Sequence, residues 1–107
     1  MARLRRWGGD GLARAMRDSF FAGASRRLES ARAGLATRDA TEVAQAMHAL
    51  RSSSAQLGAL AIARLCERGE EEADRTAFDD MKHLLDEIDR ELVQFNSWLA
   101  FALGETG

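Results

Sequence analysis

The last third of the sequence has an apolar spacing that predicts a single long helix. Eight apolar residues follow one another at steps of three and four positions: Phe78, Met81, Leu85, Ile88, Leu92, Phe95, Leu99 and Ala102. Because an α-helix has about 3.6 residues per turn, this spacing places all of them on one face. Thr76 and Asp79 resemble a capping box and predict the start of this helix. An apolar seam of this length requires partner helices on both sides.

Two earlier segments have the same helical spacing. The first is expected to begin at Asp10 as its N-cap. Its apolar face consists of Leu12, Met16, Phe20, Ala24, Leu28, Ala31 and Leu35. The pattern breaks at residues 37–39, and Asp39 or Thr41 is expected to cap a second helix that ends at Gly58. The buried stripe predicted for the second helix is Val43, Met47, Leu50, Ser54 and Leu57.

A third helix is expected from about Ala59 to Ala73, where Gly69 should weaken it by about 1 kcal/mol relative to alanine. Its apolar residues are Leu60, Ile62, Leu65 and Cys66. The sequence contains no proline, which agrees with helices throughout. Four amphipathic helices with short connections predict an all-α, antiparallel four-helix bundle. We expect the bundle at residues 10–103, with a basic N-terminal tail at 1–9 and a C-terminal tail at 104–107.

Composition and charge exclude several classes of protein. The 15 Lys+Arg against 17 Asp+Glu give a formal net charge of −2, which provides no general attraction for nucleic acid. No apolar run approaches the roughly 20 residues that span a bilayer, and no signal peptide follows Met1, so we expect a cytoplasmic protein without membrane contact. Cys66, His48 and His83 lack the clustered spacing of a metal site, so no bound metal is expected. A monomer is expected because the apolar seam can be buried inside the bundle.

His48 lies on the side of the second helix opposite its buried stripe. The residues within about 40° of His48 on a helical wheel are Thr41, Ala44, Ser52 and Ala55. These side chains are small, so they leave the imidazole edge open to a large partner. Arg51 lies about 60° away, where its guanidinium would offset the charge of a phosphoryl group arriving on Nε2.

Glu70 is expected to reach the same imidazole from the third helix. The chain reverses at Gly58, and His48 and Glu70 lie at similar distances in sequence on either side of it, so antiparallel helices bring them to nearly the same height. A carboxylate that accepts a hydrogen bond from Nδ1–H would fix the tautomer of the ring. Nε2 would then point outward as a better nucleophile.

These residues resemble the histidine phosphotransfer (HPt) domain. The family signature is roughly H-x-L-K-G-S-S-x-x-L-G-A, followed by LC and a Glu or Gln. This chain has HALRSSSAQLGA at residues 48–59, then Leu65-Cys66 and Glu70. The resemblance implies a four-helix bundle that accepts a phosphoryl group from a receiver-domain aspartate or a kinase and passes it to another receiver of a two-component phosphorelay. The resemblance also implies a role for each of three residues. His48 would be phosphorylated, Arg51 would replace the usual lysine, and Glu70 would be the hydrogen-bond partner of the imidazole.

The partner proteins implied by this resemblance are response-regulator receiver domains and a sensor or hybrid histidine kinase. The sequence has no phosphate-binding glycine loop, so we expect neither ATP binding nor kinase activity of its own. No cofactor is expected in this domain, because the receiver would bring the reacting carboxylate and Mg²⁺. Ser52 replaces the usual glycine, and Gly69 replaces a common leucine, which predicts looser packing around Glu70.

Two other functions are compatible with a helical bundle. The first is a phosphorylation-independent binding module in which Ser52 marks lost transfer activity, although His48, Arg51 and Glu70 are all retained. The second is the dimerising helical hairpin of a sensor histidine kinase. In that hairpin an acidic residue typically follows the histidine and a proline comes later, whereas Ala49 follows His48 here and the sequence has no proline. We rank the kinase hairpin last.

Overall fold

A computed structural model describes the backbone of residues 2–104 and the side chains of residues 11–104. The described residues form four helices: α1 (Ala2–Thr37), α2 (Ala40–Leu57), α3 (Leu60–Asp74) and α4 (Met81–Ala102). Each helix packs against the helix before and after it, and α4 returns to pack against α1. This arrangement confirms the all-α four-helix bundle. The division of the chain into a tail, the bundle and a second tail stays a prediction.

The core of the bundle follows the apolar spacing of each helix. Its largest members are Phe20, Leu28, Met47, Leu50, Ile62, Met81, Leu84, Leu85, Ile88 and Leu92. In α4 the predicted seam is buried from Met81 to Leu99, with Phe95 partly covered. Phe20 and Phe21 of α1 meet Phe95 with ring centroids 6.1 Å apart in each pair. Each buried side chain of this size stabilises the fold by about 1.5–3 kcal/mol.

The two ends of α2 are set by the residues that the sequence analysis named. The Asp39 side chain accepts a hydrogen bond from the Glu42 backbone N–H at 3.1 Å, which confirms the N-cap. Gly58 has φ 83°, and the backbone N–H of Ala59 donates to the Ser54 carbonyl at 2.8 Å. This left-handed conformation is typical of a helix C-terminal cap and is easiest for glycine. The sharp reversal brings α3 back along α2.

The predicted starts of α1 and α4 are wrong. α1 begins at Ala2, so Asp10 lies inside the helix instead of capping it. No proline interrupts residues 2–9, and glycine weakens a helix without breaking it, so the backbone of these residues continues α1. α4 begins at Met81, after Thr76 has taken a left-handed conformation with φ 52°. A capping residue needs extended backbone, and the Thr76 hydroxyl donates instead to the Arg75 carbonyl.

One of the apolar residues named for α3 faces solvent. Leu60 is exposed. It is the first residue of the helix, and the preceding Ala59 is buried in its place. Of the other apolar residues named for this helix, Ile62 and Cys66 are buried and Leu65 is partly buried.

Candidate functional site

His48 lies in the middle of α2 with 62% of its side chain exposed. The neighbouring residues Met47 and Leu50 are fully buried, so the imidazole points away from the core. Ser52 and Ala55 on the same side of the helix are exposed, and Ala44 is partly buried. The open surroundings predicted for the imidazole are therefore present, whereas the roles of these neighbours stay a prediction.

Glu70 of α3 contacts the inner nitrogen of the His48 ring. The distance from Nδ1 to Oε1 is 2.8 Å, and the Glu70 side chain is only 18% exposed. An ionised carboxylate can only accept a hydrogen bond, so a ring paired with it in this way donates that hydrogen bond from Nδ1–H to Oε1. In this tautomer the lone pair of Nε2 points outward from the bundle. The register argument from Gly58 placed this contact correctly.

Arg51 contacts the second oxygen of the same carboxylate. Its Nη1 atom lies 3.0 Å from Oε2 of Glu70, and its side chain is 37% exposed. Oε2 is buried and accepts no well-aligned hydrogen bond from the described side chains, so this contact is an ion pair. The sequence analysis placed Arg51 beside the outer edge of the ring and did not foresee its pairing with Glu70. The structure brings His48, Arg51 and Glu70 together in one cluster, called here the His48 cluster.

A close approach between α2 and α3 explains how Glu70 reaches His48. Gly69 is buried, and a Cβ atom built on it would lie 2.6 Å from Sδ and 2.8 Å from Cγ of Met47. Met47 precedes His48 and Gly69 precedes Glu70, so α2 and α3 are in tight contact immediately beside the His48 cluster. The looser packing expected around Glu70 is wrong, because the fully buried Met47 side chain fills the space over Gly69.

Cys66 lies near the His48 cluster, and its thiol is unreactive. Its thiol is fully buried. Burial, reinforced by the Glu70 carboxylate, raises the pKa of the Cys66 thiol to about 12, and the Arg51 guanidinium opposes this rise only in part. The thiol therefore remains neutral at physiological pH and is neither a nucleophile nor a metal ligand there.

The three serines after His48 have different environments. The Ser53 hydroxyl donates to the Ala49 carbonyl at 3.1 Å within α2. Ser54 is fully buried, and its hydroxyl has no hydrogen-bond partner among the described residues. Ser52 is exposed on the side of His48, so its hydroxymethyl group faces the approach to the ring without filling the core.

A shallow cleft beside Ser52 contains a residue that sequence reasoning missed. The cleft has a volume of about 350 Å³ between α2 and α3, and Arg64 lines it together with Arg51 and Ser52. Arg64 is as far after Gly58 as Ser52 is before it, so the register argument used for Glu70 would have found it. His83 is exposed on α4, outside the His48 cluster.

Searches of the described residues for two other kinds of site were negative. No group of three or more His, Cys, Asp or Glu residues among them is arranged to hold a metal ion. None of the helices in the described part of the chain has the length and apolar character needed to cross a membrane.

Comparisons with known proteins agree with this geometry. The family model of the Hpt domain matches residues 15–94. A comparison with curated proteins finds no significant match. Among solved structures, the crystal structure of histidine-containing phosphotransfer protein B from Pseudomonas aeruginosa PAO1 is similar to this chain, with a TM-score of 0.85 and 24% sequence identity. The match covers 99% of this chain and 91% of that one. The chain belongs to the Hpt family, the histidine phosphotransfer domains of two-component phosphorelays.

Proposed function

We propose that His48 is the residue that carries the phosphoryl group. It accepts the group on Nε2 from the aspartyl phosphate of a receiver domain, or from a kinase, and passes it to the aspartate of another receiver. The observation that supports this role is an exposed imidazole whose Nδ1 lies 2.8 Å from a carboxylate that is itself mostly buried. A ring held in this way has one protonated nitrogen inside and one free lone pair outside.

The transfer chemistry follows from that tautomer. The Nε2 lone pair attacks phosphorus, the bond from phosphorus to the aspartyl oxygen breaks, and the aspartate leaves as a carboxylate. The proton stays on Nδ1, where Oε1 of Glu70 stabilises the positive charge that develops on the ring. In the reverse direction an aspartate oxygen attacks phosphorus, the bond to Nε2 breaks, and the neutral imidazole is restored. Arg51 lies close enough to offset the phosphoryl charge.

Hpt domains are phosphoryl carriers and not kinases, and they interact with receiver domains and kinases. For this chain we infer the narrower statement that it binds no ATP and needs no cofactor of its own, because the receiver supplies Mg²⁺ with its reacting aspartate. We further infer a cytoplasmic monomer without affinity for nucleic acid, in keeping with a formal net charge of −2.

We propose that a groove between α1 and α2 forms part of the surface on which a receiver docks. The groove has a volume of about 490 Å³, and its walls include Met16, Phe20 and Leu57. Met16 remains 41% exposed and Leu12 of the same helix 43% exposed. Apolar side chains left uncovered along a groove are typical of a surface that a partner covers.

The direct test is phosphoryl transfer from a phosphorylated receiver domain. We expect acid-labile, base-stable label on the wild-type chain and none on the His48→Gln variant. His83→Gln is the matched control, because His83 is also an exposed helical histidine, and this variant should be labelled like the wild type. Label that survives His48→Gln, or that never appears with any cognate receiver, would overturn the proposal. Receiver binding without label would support the phosphorylation-independent binding module instead.

A further inference from the structure

The two oxygens of the Glu70 carboxylate are divided between two different side chains. Oε1 lies 2.8 Å from Nδ1 of His48, and Oε2 lies 3.0 Å from Nη1 of Arg51. Both partners come from α2, three residues apart, whereas Glu70 comes from α3. The carboxylate therefore forms a bridge between the proposed nucleophile and the nearest cation of the same helix.

The burial of the three side chains shows which one holds the others. Glu70 is 18% exposed, whereas Arg51 and His48 are 37% and 62% exposed. Glu70 follows Gly69, where α3 lies so close to Met47 that a Cβ atom would clash with it. The carboxylate is thus fixed by the packed helix pair, while both of its partners extend toward solvent. An exposed arginine without such a contact would sample many rotamers.

The guanidinium of Arg51 is suited to contact two anions together. Nη1 lies 3.0 Å from Oε2 of Glu70, and a guanidinium has further N–H donors on Nη2 and Nε. Those donors remain available to a phosphoryl group on the outer nitrogen of His48. A lysine has a single nitrogen, so it cannot place one nitrogen on the carboxylate and another on the phosphoryl group. Arg51, in place of the family's usual lysine, can therefore contact both anions through separate nitrogens.

We propose that Glu70 positions Arg51 as well as His48, so that one buried carboxylate holds both the nucleophile and the cation of the phosphoryl site. This inference rests on the proposed function of His48. Glu70 acts through its two partners and does not touch the phosphoryl group, so it is a positioning residue. Arg51 stays on Oε2 through Nη1 when His48 is phosphorylated, and its other nitrogens donate to the phosphoryl oxygens.

The substitution Glu70→Gln separates the two tasks. The side-chain carbonyl of glutamine still accepts the hydrogen bond from Nδ1–H, but its NH₂ group cannot pair with a guanidinium. We expect the imidazole to keep its tautomer, which ¹⁵N NMR of the ring would show, while Arg51 becomes mobile in the ¹⁵N spectrum of its side chain. This measurement uses the unphosphorylated chain. An Arg51 signal that is unchanged in Glu70→Gln would overturn the proposal.

A double-mutant cycle tests the consequence for transfer. The rate of phosphoryl transfer from a saturating concentration of phosphorylated receiver is measured for wild type, Glu70→Gln, Arg51→Ala and the double variant. We expect Arg51→Ala to slow transfer by about tenfold in the wild type and by less than about threefold once Glu70 is Gln, since residues in direct contact are not additive. Both proteins within each comparison have the same residue at position 70, so the direct effect of the carboxylate charge on the ring cancels.

The conservative variant Arg51→Lys provides a further control. It keeps the positive charge, so a purely electrostatic role predicts a rate near that of the wild type with the same sensitivity to Glu70→Gln. We expect instead a slower rate, and the cost of Arg51→Lys should shrink once Glu70 is Gln. Equal effects of Arg51→Ala with and without Glu70 would show that Glu70 does not position Arg51. A wild-type chain that is never labelled would instead refute the proposed function, while the NMR test of the ion pair would still stand.

Discussion

Replacing Gly69 with alanine tests whether the close approach of α2 and α3 sets the distance between His48 and Glu70. The new Cβ atom would lie 2.6 Å from Sδ of Met47, whereas favourable contacts between carbon atoms begin at about 3.5 Å. Met47 is fully buried, so its side chain has no open space to enter. Either Met47 must adopt a poorer rotamer or the two helices must separate.

Two opposing contributions determine the stability of this variant. Alanine is favoured over glycine in a helix interior by about 1 kcal/mol. Overpacking a filled core costs about 1–3 kcal/mol. The free energy of unfolding of Gly69→Ala should therefore fall by about 0–2 kcal/mol relative to the wild type.

Gly23 provides the matched control for this experiment. It lies inside α1, and the nearest atom to a Cβ built there is Nη2 of Arg26 at 3.7 Å, an ordinary contact. Gly23→Ala should therefore raise the free energy of unfolding by about 1 kcal/mol. Urea unfolding followed by far-UV circular dichroism would measure both variants, and we expect them to differ by about 1–3 kcal/mol. If Gly69→Ala is stabilised as much as Gly23→Ala, the contact with Met47 does not control the spacing of the helices.

Two further predictions concern buried groups near the His48 cluster. Ser54→Ala should raise the free energy of unfolding by about 1 kcal/mol, because the buried hydroxyl has no hydrogen-bond partner among the described residues. Ser30→Ala, at an exposed position of α1, controls for helix propensity, and an equal gain in both variants would contradict the reasoning. Burial raises the pKa of Cys66 from 9.0 to about 12, so above pH 9 the unfolded chain releases a proton that the folded chain retains. The free energy of unfolding should fall between pH 9.0 and about pH 12, by at most about 1.4 kcal/mol per pH unit. When the free energy of unfolding is measured by urea titration at each pH, Cys66→Ala should lack this part of the pH dependence. The same pH dependence in both proteins would refute the prediction.

The parts of the fold that were predictable depend on local chemistry. Asp39 and Gly58 were identified because a side-chain cap and a left-handed glycine act on their own helix ends. Asp10 and Thr76 have similar local signals, but the helix continued through the first, and a left-handed backbone excluded the second. Local cap signals therefore indicate where a helix can end, while the surrounding chain decides whether it does.

The His48 cluster was partly predictable for a related reason. The exposure of His48 followed from helical periodicity, and the nearness of Glu70 followed from the reversal at Gly58. The contact between Gly69 and Met47 could not be predicted, because it depends on the separation of two helices and on the volume of one side chain. The pairing of Arg51 with Glu70 depends on an arginine rotamer, which sequence spacing does not determine.

The short connection between α2 and α3 makes the length of the hairpin critical. His48 and Glu70 are 22 positions apart, and only Gly58 and Ala59 separate the two helices. One residue inserted into or deleted from either helix between them would rotate one partner by about 100° and shift it by about 1.5 Å along the axis. Substitutions can change how the imidazole is held, but a change of length would separate it from the carboxylate altogether. This segment can therefore vary in composition far more freely than in residue number.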